Sequence, residues 1–334
     1  MPEWLVERGI GEDRALLLDG DVPLAAKVRW SGDLEAGKVV EAKLAVKTAG
    51  SRRGIAKLGD GSEVLLDRIP PGFTEGAKIL VQIKRDAVAE RGRLKRAQGR
   101  IVENGRRSED RARGAFDSGR VVRRFPPSVW EQVATSSFTG EIAFTGGSLL
   151  FSPTPAMTLI DIDGDLDPAT LARQAVQPIA RSLDLFDIGG QVGIDFPNIE
   201  ARSQRQEIDA ALTEALRHRR VERTAMNGFG FVQLVSRLDG PSLLHRFAMH
   251  PASAAARLAL RRAEQLDGPG VTLLTVHPAV AAAIRREWLA ELERRTARPT
   301  RIESDPGLAM EACAAQIVGH EQDAPPLPHL PQSP

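Results

Sequence analysis

Three aspartates lie where two apolar stretches of the chain end. Residues 159–163 read LIDID, and residues 192–195 read VGID after an intervening helix-like segment. Successive side chains of a strand point to opposite faces, so Asp161 and Asp163 would share one face. Carboxylates that converge at strand ends supply the oxygen ligands that Mg²⁺ and Mn²⁺ prefer. The spacing therefore indicates a hard-cation site formed by Asp161, Asp163 and Asp195.

The elements between these aspartates indicate how the aspartates could meet. Pro168 directly after Asp167 is typical of a helix start, and the pair Gly189-Gly190 is typical of a helix end. A strand–helix–strand order favours a right-handed crossover between parallel or near-parallel neighbouring strands. We therefore expect Asp195 to lie beside Asp161.

Another interpretation of the aspartates stays open on spacing alone. Aspartates often follow strands because they cap the next helix or begin a turn. Asp165 and Asp167 are better explained as turn and cap residues. Asp184 and Asp187 are better explained as solvated charges at a helix end.

The same stretch resembles the catalytic core of the ribonuclease E/G family. The family carries a strand TEAL-x-x-IDVN, a helix ending RQLRLRDIGG, and then IVIDF. The matching residues here are TPAM at 154–157, LIDID at 159–163, ARSLDLFDIGG at 180–190 and VGIDF at 192–196. The resemblance implies that Asp161 and Asp195 are catalytic and hold Mg²⁺, with Mn²⁺ the other suitable cation. Asp163 replaces an asparagine of the family and would support them.

Composition places the chain among soluble globular proteins of two or three domains. Of its 334 residues, 42% are hydrophobic and 27% are charged, and the net charge is +1. No apolar run approaches the roughly 18 residues that a membrane helix needs, and the N-terminus lacks a signal-peptide pattern. The single cysteine, Cys313, excludes an internal disulfide and a cysteine-rich zinc site. We expect a cytoplasmic protein with no membrane segment.

Turn residues and composition shifts predict six parts. They are an N-terminal hairpin of the catalytic domain (1–35), a five-stranded barrel (36–86), a basic linker (87–124), a catalytic core (125–245), a small C-terminal α/β domain (246–318) and a disordered tail (319–334). The resemblance implies the fold class. It is a multidomain α/β (α+β) protein with a ribonuclease H-like/DNase I-like core and an inserted OB-fold barrel.

In the family, the barrel binds single-stranded RNA by stacking bases on exposed aromatic residues. The corresponding positions here, near Ile55 and Leu65, are aliphatic, and Phe73 is the only aromatic residue in the segment. We therefore expect weak stacking in the barrel. Contacts with the RNA backbone would have to contribute more of the affinity.

A basic stretch follows the barrel. Residues 84–124 contain 14 Lys or Arg and 6 Asp or Glu, a net charge of +8. Such a stretch suits phosphate contacts, and a solvated, partly disordered linker is the alternative. The family's sensor of the 5′-monophosphate has no recognisable counterpart in this short segment. The RNA-binding candidates are Arg91, Arg93, Lys95, Arg96, Arg100 and Arg237.

Two further motifs of the family differ here. The family's DRARI segment aligns with residues 217–221, which implies that Arg220 lies near the active site and stabilises the charge of the phosphorane. Basic residues at a helix end also offset the helix dipole, which is the simpler explanation. The family's zinc link, CP-x-C, is missing after Pro241, and His245 and His250 lack a partner motif. We expect no zinc and no zinc-linked dimer, while another kind of oligomer stays open.

The resemblance, together with the paired aspartates, implies a Mg²⁺-dependent endoribonuclease. It would cleave single-stranded RNA to 5′-phosphate and 3′-hydroxyl ends in RNA processing or decay. The alternative is an RNA-binding protein of the same descent with weakened catalysis, which the substitution at Asp163 and the missing aromatics favour. A DNA nuclease also stays open, because paired carboxylates alone do not distinguish ribose from deoxyribose.

Overall fold

A computed structural model of the protein describes residues 1–90, 92–102 and 114–319. They form two compact units. The first comprises Met1–Arg8 and Asp13–Met249, and the second comprises Gly9–Glu12 and the segment that begins at His250. Much of the predicted basic linker and nearly all of the predicted tail lie outside the described residues.

The chain begins with three antiparallel strands joined by short turns. They are β1 (Glu3–Arg8), β2 (Glu12–Asp19) and β3 (Val22–Trp30). The predicted turn around Gly20 joins β2 to β3, and Gly20 adopts the left-handed conformation there. Leu5, Leu16 and Leu18 are buried, which gives these strands a core face.

Residues 39–102 build a closed five-stranded barrel with the strand order β10-β6-β5-β4-β7. Its strands are β4 (Val39–Lys47), β5 (Gly54–Lys57), β6 (Glu63–Leu66), β7 (Lys78–Arg85) and β10 (Ala97–Val102), and a hairpin of β8 (Val88–Glu90) and β9 (Arg93–Lys95) precedes β10. Leu44, Val64 and Val81 are fully buried in its core. The barrel fits an OB-like fold. Because its fifth strand comes from the predicted linker, the boundary predicted at residue 86 is too early.

A six-stranded mixed sheet forms the centre of the first unit, with the order β12-β13-β14-β15-β17-β16. Its strands are β12 (Glu141–Phe144), β13 (Gly147–Pro153), β14 (Thr158–Gly164), β15 (Gln191–Asp195), β16 (Val221–Arg223) and β17 (Phe231–Ser236). Its β14 and β15 are parallel, whereas the other neighbouring pairs are antiparallel. The remaining elements of this unit are α1 (Ala115–Ser118), β11 (Arg120–Val121), α2 (Val129–Thr139), α3 (Pro168–Leu185), α4 (Arg202–Ala215) and α5 (Leu243–Met249).

Helix α3 connects the two parallel strands and packs against the sheet. Its start is fixed as predicted, because the Asp167 side chain accepts a hydrogen bond from the Thr170 backbone N–H at 3.1 Å. That hydrogen bond lowers the pKa of Asp167. Apolar residues at helical spacing, including Leu171, Val176 and Ile179, form its buried face.

The second unit combines three helices with a three-stranded sheet of order β19-β18-β20. Its elements are α6 (Pro251–Glu264), β18 (Val271–Val276), α7 (Pro278–Ala283), α8 (Arg286–Thr296), β19 (Thr300–Ser304) and β20 (Ala314–Val318). Residues 278–296 form two helices, because Ile284 and Arg285 leave the helical conformation between them. Among the described helices of the chain, none combines the length and apolar character needed to cross a membrane.

Candidate active site

Asp161 and Asp195 occupy opposite positions on the parallel strands β14 and β15. Neighbouring strands lie about 4.8 Å apart, and paired positions direct their side chains to the same face. Ile160 and Ile194, which alternate with the aspartates, are fully buried, while both aspartates are exposed. The structure therefore brings together the two carboxylates that the sequence placed on separate stretches.

Asp163 lies two residues beyond Asp161 on β14, so its side chain points to the same open face. It is exposed, and its cross-strand partner on β13 is Ser148. Asp161 Oδ1 accepts a hydrogen bond from the Ile162 backbone N–H at 3.0 Å. This open face, at the carboxyl end of β14 and β15, is called the carboxylate edge below.

The donor set at the carboxylate edge fits Mg²⁺ better than zinc. Within the described part of the chain, no three His, Cys, Asp or Glu side chains come together as a ready-made metal cage. Mg²⁺ does not need such a cage, because it keeps several waters and is bound through one or two carboxylates together with substrate phosphates. Asp161 and Asp195 provide two exposed carboxylates on one face.

The aspartates at the end of α3 are more than solvated charges. Asp184 pairs with His218 at 2.6 Å and also with Arg219, and Asp187 pairs with Lys27 at 2.7 Å. Asp184 and Asp187 lie at the helix end and face solvent, as expected, and they also form ion pairs with basic residues from distant parts of the chain. Both remain outside the carboxylate edge.

Gly189 and Gly190 allow a close approach between two chain segments. A Cβ atom at Gly189 would lie 2.4 Å from the Arg237 carbonyl oxygen, and Gly190 has a φ of +81°. The Ser236 backbone N–H donates to the Gly190 carbonyl oxygen at 2.9 Å. Both glycines are therefore required where β15 begins beside the end of β17.

The structure does not bring Arg220 to the carboxylates. Arg220 directly precedes β16, whose first residue, Val221, pairs with Ser236 at the end of β17. Asp195 pairs with Phe231 at the beginning of β17. Five residues of strand correspond to about 17 Å. Arg220 therefore lies at the opposite end of the sheet from the carboxylate edge, where its side chain is exposed.

A basic groove lies where the barrel meets the end of β17. Its volume is about 690 Å³. Four basic residues and one acidic residue contribute to its walls. The lining residues are Gly37, Gln82, Ile83, Lys84, Arg85, Gln98, Arg100, Arg237, Leu238 and Asp239. The excess of positive charge makes this groove suitable for an anionic chain.

The guanidinium groups of the groove are held in defined positions. Arg100 donates from Nε and Nη2 to Gln82 Oε1 at 3.0 and 2.8 Å, and Arg237 pairs with Asp239 at 2.6 Å. Arg85 is almost entirely buried and donates from Nη2 to the Arg96 carbonyl oxygen at 2.7 Å. Its Nη1 is buried with no hydrogen-bond partner among the described residues. Burial lowers the pKa of Arg85, and the charges of Glu90 and Asp86 oppose that effect.

Three further basic candidates pair with acidic side chains, as Arg237 does in the groove. Arg93 and Lys95 both pair with Glu90, and Arg96 pairs with Glu63 at 2.7 Å. These contacts offset part of their charge. Arg91 lies outside the described residues.

The outer face of the barrel is aliphatic at the positions that the family uses for stacking. Ile55 and Leu65 face each other across β5 and β6, and the exposed Val46 is the partner of Ile55 on β4. Phe73 packs against the barrel core and is only partly exposed. The barrel therefore presents little aromatic surface to a base.

His245, for which the sequence offered no zinc-binding partner motif, lies in α5. Its Nε2 contacts the Ala89 carbonyl oxygen. Burial lowers the pKa of His245. Cys313 is buried in the second unit, where Arg262 donates to its carbonyl oxygen at 2.5 Å.

Two groups of residues at these sites were missed by the sequence reasoning. Lys84 and Arg85 line the groove, but they were read only as part of a charged stretch. Phe229 lies near the carboxylate edge in the loop before β17, and the sequence analysis assigned it no role. The signal for Phe229 was an aromatic residue between two glycines, in the sequence NGFGF.

Comparisons with known proteins agree with this geometry. Residues 130–237, which include both strands of the carboxylate edge, match the Ribonuclease E/G family model. Ribonuclease E of Haemophilus influenzae is 30% identical over 125 residues, which cover 34% of this chain and 13% of that protein. Ribonuclease G of Escherichia coli is 27% identical over 191 residues, which cover 48% of this chain and 39% of that protein.

The matches leave much of each relative uncovered. Ribonuclease E of Nostoc is 28% identical over 114 residues, which cover 31% of this chain and 17% of that protein. The chain thus spans less than half the length of each of these three relatives. The family model, the relatives and the position of the paired aspartates agree that the region around residues 130–237 is similar to the Ribonuclease E/G family.

Proposed function

We propose that the protein is a Mg²⁺-dependent endoribonuclease that cleaves single-stranded RNA in RNA processing or decay. The observation that carries the proposal is the pairing of Asp161 with Asp195 on adjacent parallel strands, with both carboxylates on one open face. The matches to ribonucleases E and G support RNA as the substrate in preference to DNA.

Asp161 and Asp195 would hold the cation, and Asp163 would supply a further oxygen close to them. When bound, Mg²⁺ or Mn²⁺ would supply Lewis-acid chemistry toward the scissile phosphate and the attacking water. In the overall reaction, the water oxygen bonds to phosphorus as the bond from phosphorus to the 3′ oxygen breaks. The water releases one proton to solvent and the 3′ oxygen takes one up, which gives a 5′-phosphate and a 3′-hydroxyl. The exposure of the carboxylate edge allows the single strand to approach without unfolding of the core.

The basic groove would bind the RNA backbone. Its Arg100 and Arg237 are fixed by Gln82 and Asp239, so they can contact phosphates with little loss of side-chain entropy. Arg220 lies at this end of the sheet, so we assign it to the RNA path and not to the reacting phosphate.

The proposal retains the ribonuclease H-like assignment of the core. A parallel pair in the middle of a mixed sheet, with a crossover helix on one face and carboxylates on the other, supports it. The cytoplasm is the proposed compartment, and an oligomer, if formed, would not be linked by zinc.

The test is a cleavage assay on a short single-stranded RNA and on DNA of the same sequence. The reactions contain Mg²⁺, Mn²⁺ or EDTA, and the RNA carries a 5′-phosphate or a 5′-hydroxyl. We expect cleavage of the RNA alone, abolished by EDTA, with equal rates for the two 5′ ends. End analysis of the products should give 5′-phosphates.

Other outcomes separate the competing functions. Equal cleavage of DNA would select a general nuclease. RNA binding without cleavage under every metal condition would refute the enzyme and select an RNA-binding protein with lost catalysis.

A further inference from the structure

One aromatic side chain beside the carboxylate edge is almost fully exposed. Phe229 is 86% exposed, and apart from Met1 it is the most exposed large apolar side chain of the described residues. It lies in the loop that joins β16 to β17, two residues before Phe231. Phe231 is the cross-strand partner of Asp195. Phe229 is therefore close to the proposed reaction centre.

Hydrogen bonds fix the loop that carries Phe229. Asn227 Oδ1 accepts from the backbone N–H groups of Phe229 and Phe231 at 2.9 and 3.0 Å. The Asn227 backbone N–H donates to the Phe231 carbonyl oxygen at 3.1 Å, and the Gly230 N–H donates to the Asn227 carbonyl oxygen at 3.2 Å. An asparagine side chain that caps its own turn in this way limits the freedom of the loop.

The loop is also attached to the residue that follows Asp195. The Phe196 backbone N–H donates to the Gly230 carbonyl oxygen at 3.3 Å. Gly230 has a φ of +85°, and a Cβ atom there would lie 2.6 Å from the Phe196 carbonyl oxygen. Only glycine fits this approach, so the position of Phe229 relative to β15 is set by backbone contacts.

Next to the carboxylates, the open face carries a group of apolar side chains together with the polar Gln191 and Gln233. Gly193 precedes Asp195 by two residues and shares its face. The side chains of Phe231, Met157 and Leu159 converge there, because a Cβ atom at Gly193 would lie 2.6 to 3.0 Å from each of them. A phosphate gains nothing from such a surface, whereas the flat face of a base does.

We propose that Phe229 is a base-stacking residue, and that an unpaired base next to the scissile phosphate stacks on its ring above this apolar surface. The inference rests on the proposed function, because it assumes an RNA strand at the carboxylate edge. It also accounts for the barrel, whose outer face is aliphatic at Ile55 and Leu65. Stacking tolerates any base, because each has a π-face, so Phe229 would position RNA without strict sequence preference.

The first test compares Phe229→Ala and Phe229→Trp with wild type in the full chain. The substrate is a short single-stranded RNA, and kcat/KM for cleavage is measured. We expect Phe229→Ala to lower kcat/KM roughly tenfold, as the loss of one stacked base requires. Phe229→Trp should keep the wild-type value. The matched control is Val22→Ala, since Val22 is an apolar side chain that is 59% exposed in the same unit and should show no change.

A second test uses RNAs with one abasic nucleotide at successive positions around the cleaved bond. At one position, the missing base should lower the kcat/KM of wild type about as much as Phe229→Ala lowers it on intact RNA. The kcat/KM of the Phe229→Ala variant should be the same on that abasic RNA as on intact RNA. Equal sensitivity of both proteins at every position would overturn the proposal, as would an unchanged kcat/KM for Phe229→Ala.

A binding readout separates this proposal from the proposed function. RNA affinity is measured by fluorescence anisotropy in EDTA for the same variants. If no variant cleaves RNA but Phe229→Ala binds it roughly tenfold more weakly than Val22→Ala, the nuclease function is refuted and the stacking role of Phe229 is supported. If wild type cleaves RNA and Phe229→Ala matches it in both assays, the nuclease stands and the stacking residue fails.

Discussion

The carboxylate edge takes its aspartates from one strand–helix–strand motif, whereas the basic groove takes its cations from the barrel and from the end of β17. At the carboxylate edge, Asp161 and Asp195 stand on neighbouring strands whose register is fixed by backbone hydrogen bonds. At the basic groove, Arg100 and Arg237 come from different parts of the fold. The carboxylate edge is thus formed within one sheet, whereas the basic groove forms only where the barrel packs against that sheet.

Strand β17 connects the two regions. Its first residue, Phe231, is opposite Asp195, and Arg237 follows its last residue. Six residues of strand separate them by about 20 Å. An RNA strand of several nucleotides could therefore reach both, with backbone contacts at one end and chemistry at the other.

The largest expected effect is at the carboxylate edge. Asp161→Asn or Asp195→Asn should lower kcat for RNA cleavage by about a thousandfold, because each substitution removes a charged ligand of the cation. The double variant should be little worse than either single one, because the two residues act as a unit. RNA affinity without metal should stay within about twofold of wild type, because the groove is unchanged.

The control for this pair is Asp165→Asn, which removes a carboxylate just after β14 that was interpreted as a turn residue. Its kcat should remain close to wild type. A comparable loss in Asp165→Asn would mean that the total negative charge matters, and the assignment of the pair would fail. Retained cleavage in Asp161→Asn would contradict the proposed function directly.

The carboxylate edge could be predicted from sequence because its determinants are local. The apolar stretches that end at Asp163 and Asp195, the cap at Asp167 and the pair Gly189-Gly190 all lie within one motif, and each has a direct signal in the residue types. A crossover between parallel strands leaves essentially one way to combine them. Local signals also indicated an α/β composition for the second unit. They did not show that Ile284 and Arg285 separate two helices there.

The basic groove could not be predicted because it depends on packing between distant segments. The excess of basic residues was visible, but sequence does not show that Arg93 and Lys95 are occupied by Glu90 while Arg100 faces the end of β17. The predicted position of Arg220 was wrong for the same reason, because it also depends on the pairing of distant segments. A motif alignment placed it near the active site, whereas the pairing of β16 with β17 places it at the far end of the sheet.

An intermediate effect is expected at the groove. The double substitution Arg100→Gln with Arg237→Gln should weaken RNA binding about tenfold at moderate salt. The slope of log affinity against log salt should fall by about 0.7 for each lost phosphate contact with a single strand. At saturating RNA, kcat should be nearly unchanged, because these residues lie away from the carboxylates.

A matched control for the groove is Arg217→Gln, since Arg217 is exposed near the end of α4 and lies outside the groove. It should leave the salt slope as in wild type. If Arg217→Gln and the groove variant reduced the slope equally for each charge removed, binding would follow overall charge, and the groove would lose its special role.

The smallest expected effect concerns the charge cluster behind the groove. Asp86 follows β7, and its backbone N–H donates to the Asp239 carbonyl oxygen at 3.0 Å. Arg246 contacts Asp33 at 2.9 Å and Asp86 at 3.6 Å. Burial and the neighbouring charge of Asp33 together raise the pKa of Asp86 to about 6, even though the charge of Arg246 opposes them.

The sign of the pH dependence follows from the proton affinities. Between pH 4 and 6, Asp86 is more protonated in the folded protein than in the unfolded chain, because its folded pKa of about 6 exceeds the ordinary aspartate value of 3.8. Its contribution to the free energy of unfolding therefore falls as the pH rises through this window. The decrease in the free energy of unfolding that ionisation of Asp86 causes is nearly complete above about pH 6. Asp86→Asn removes this titration.

The test compares the free energies of unfolding of wild type and Asp86→Asn at two pH values. From pH 5 to pH 7.5, the free energy of unfolding of Asp86→Asn relative to wild type should rise by about 1 kcal/mol. Urea unfolding followed by tryptophan fluorescence measures it, since Trp30 packs against Arg246 at 5.2 Å. Asp21→Asn, at the exposed turn before β3, is the matched control for the removal of one negative charge. A relative stability of Asp86→Asn that is constant from pH 5 to pH 7.5 would contradict the raised pKa of Asp86 and the charge cluster inferred behind the groove.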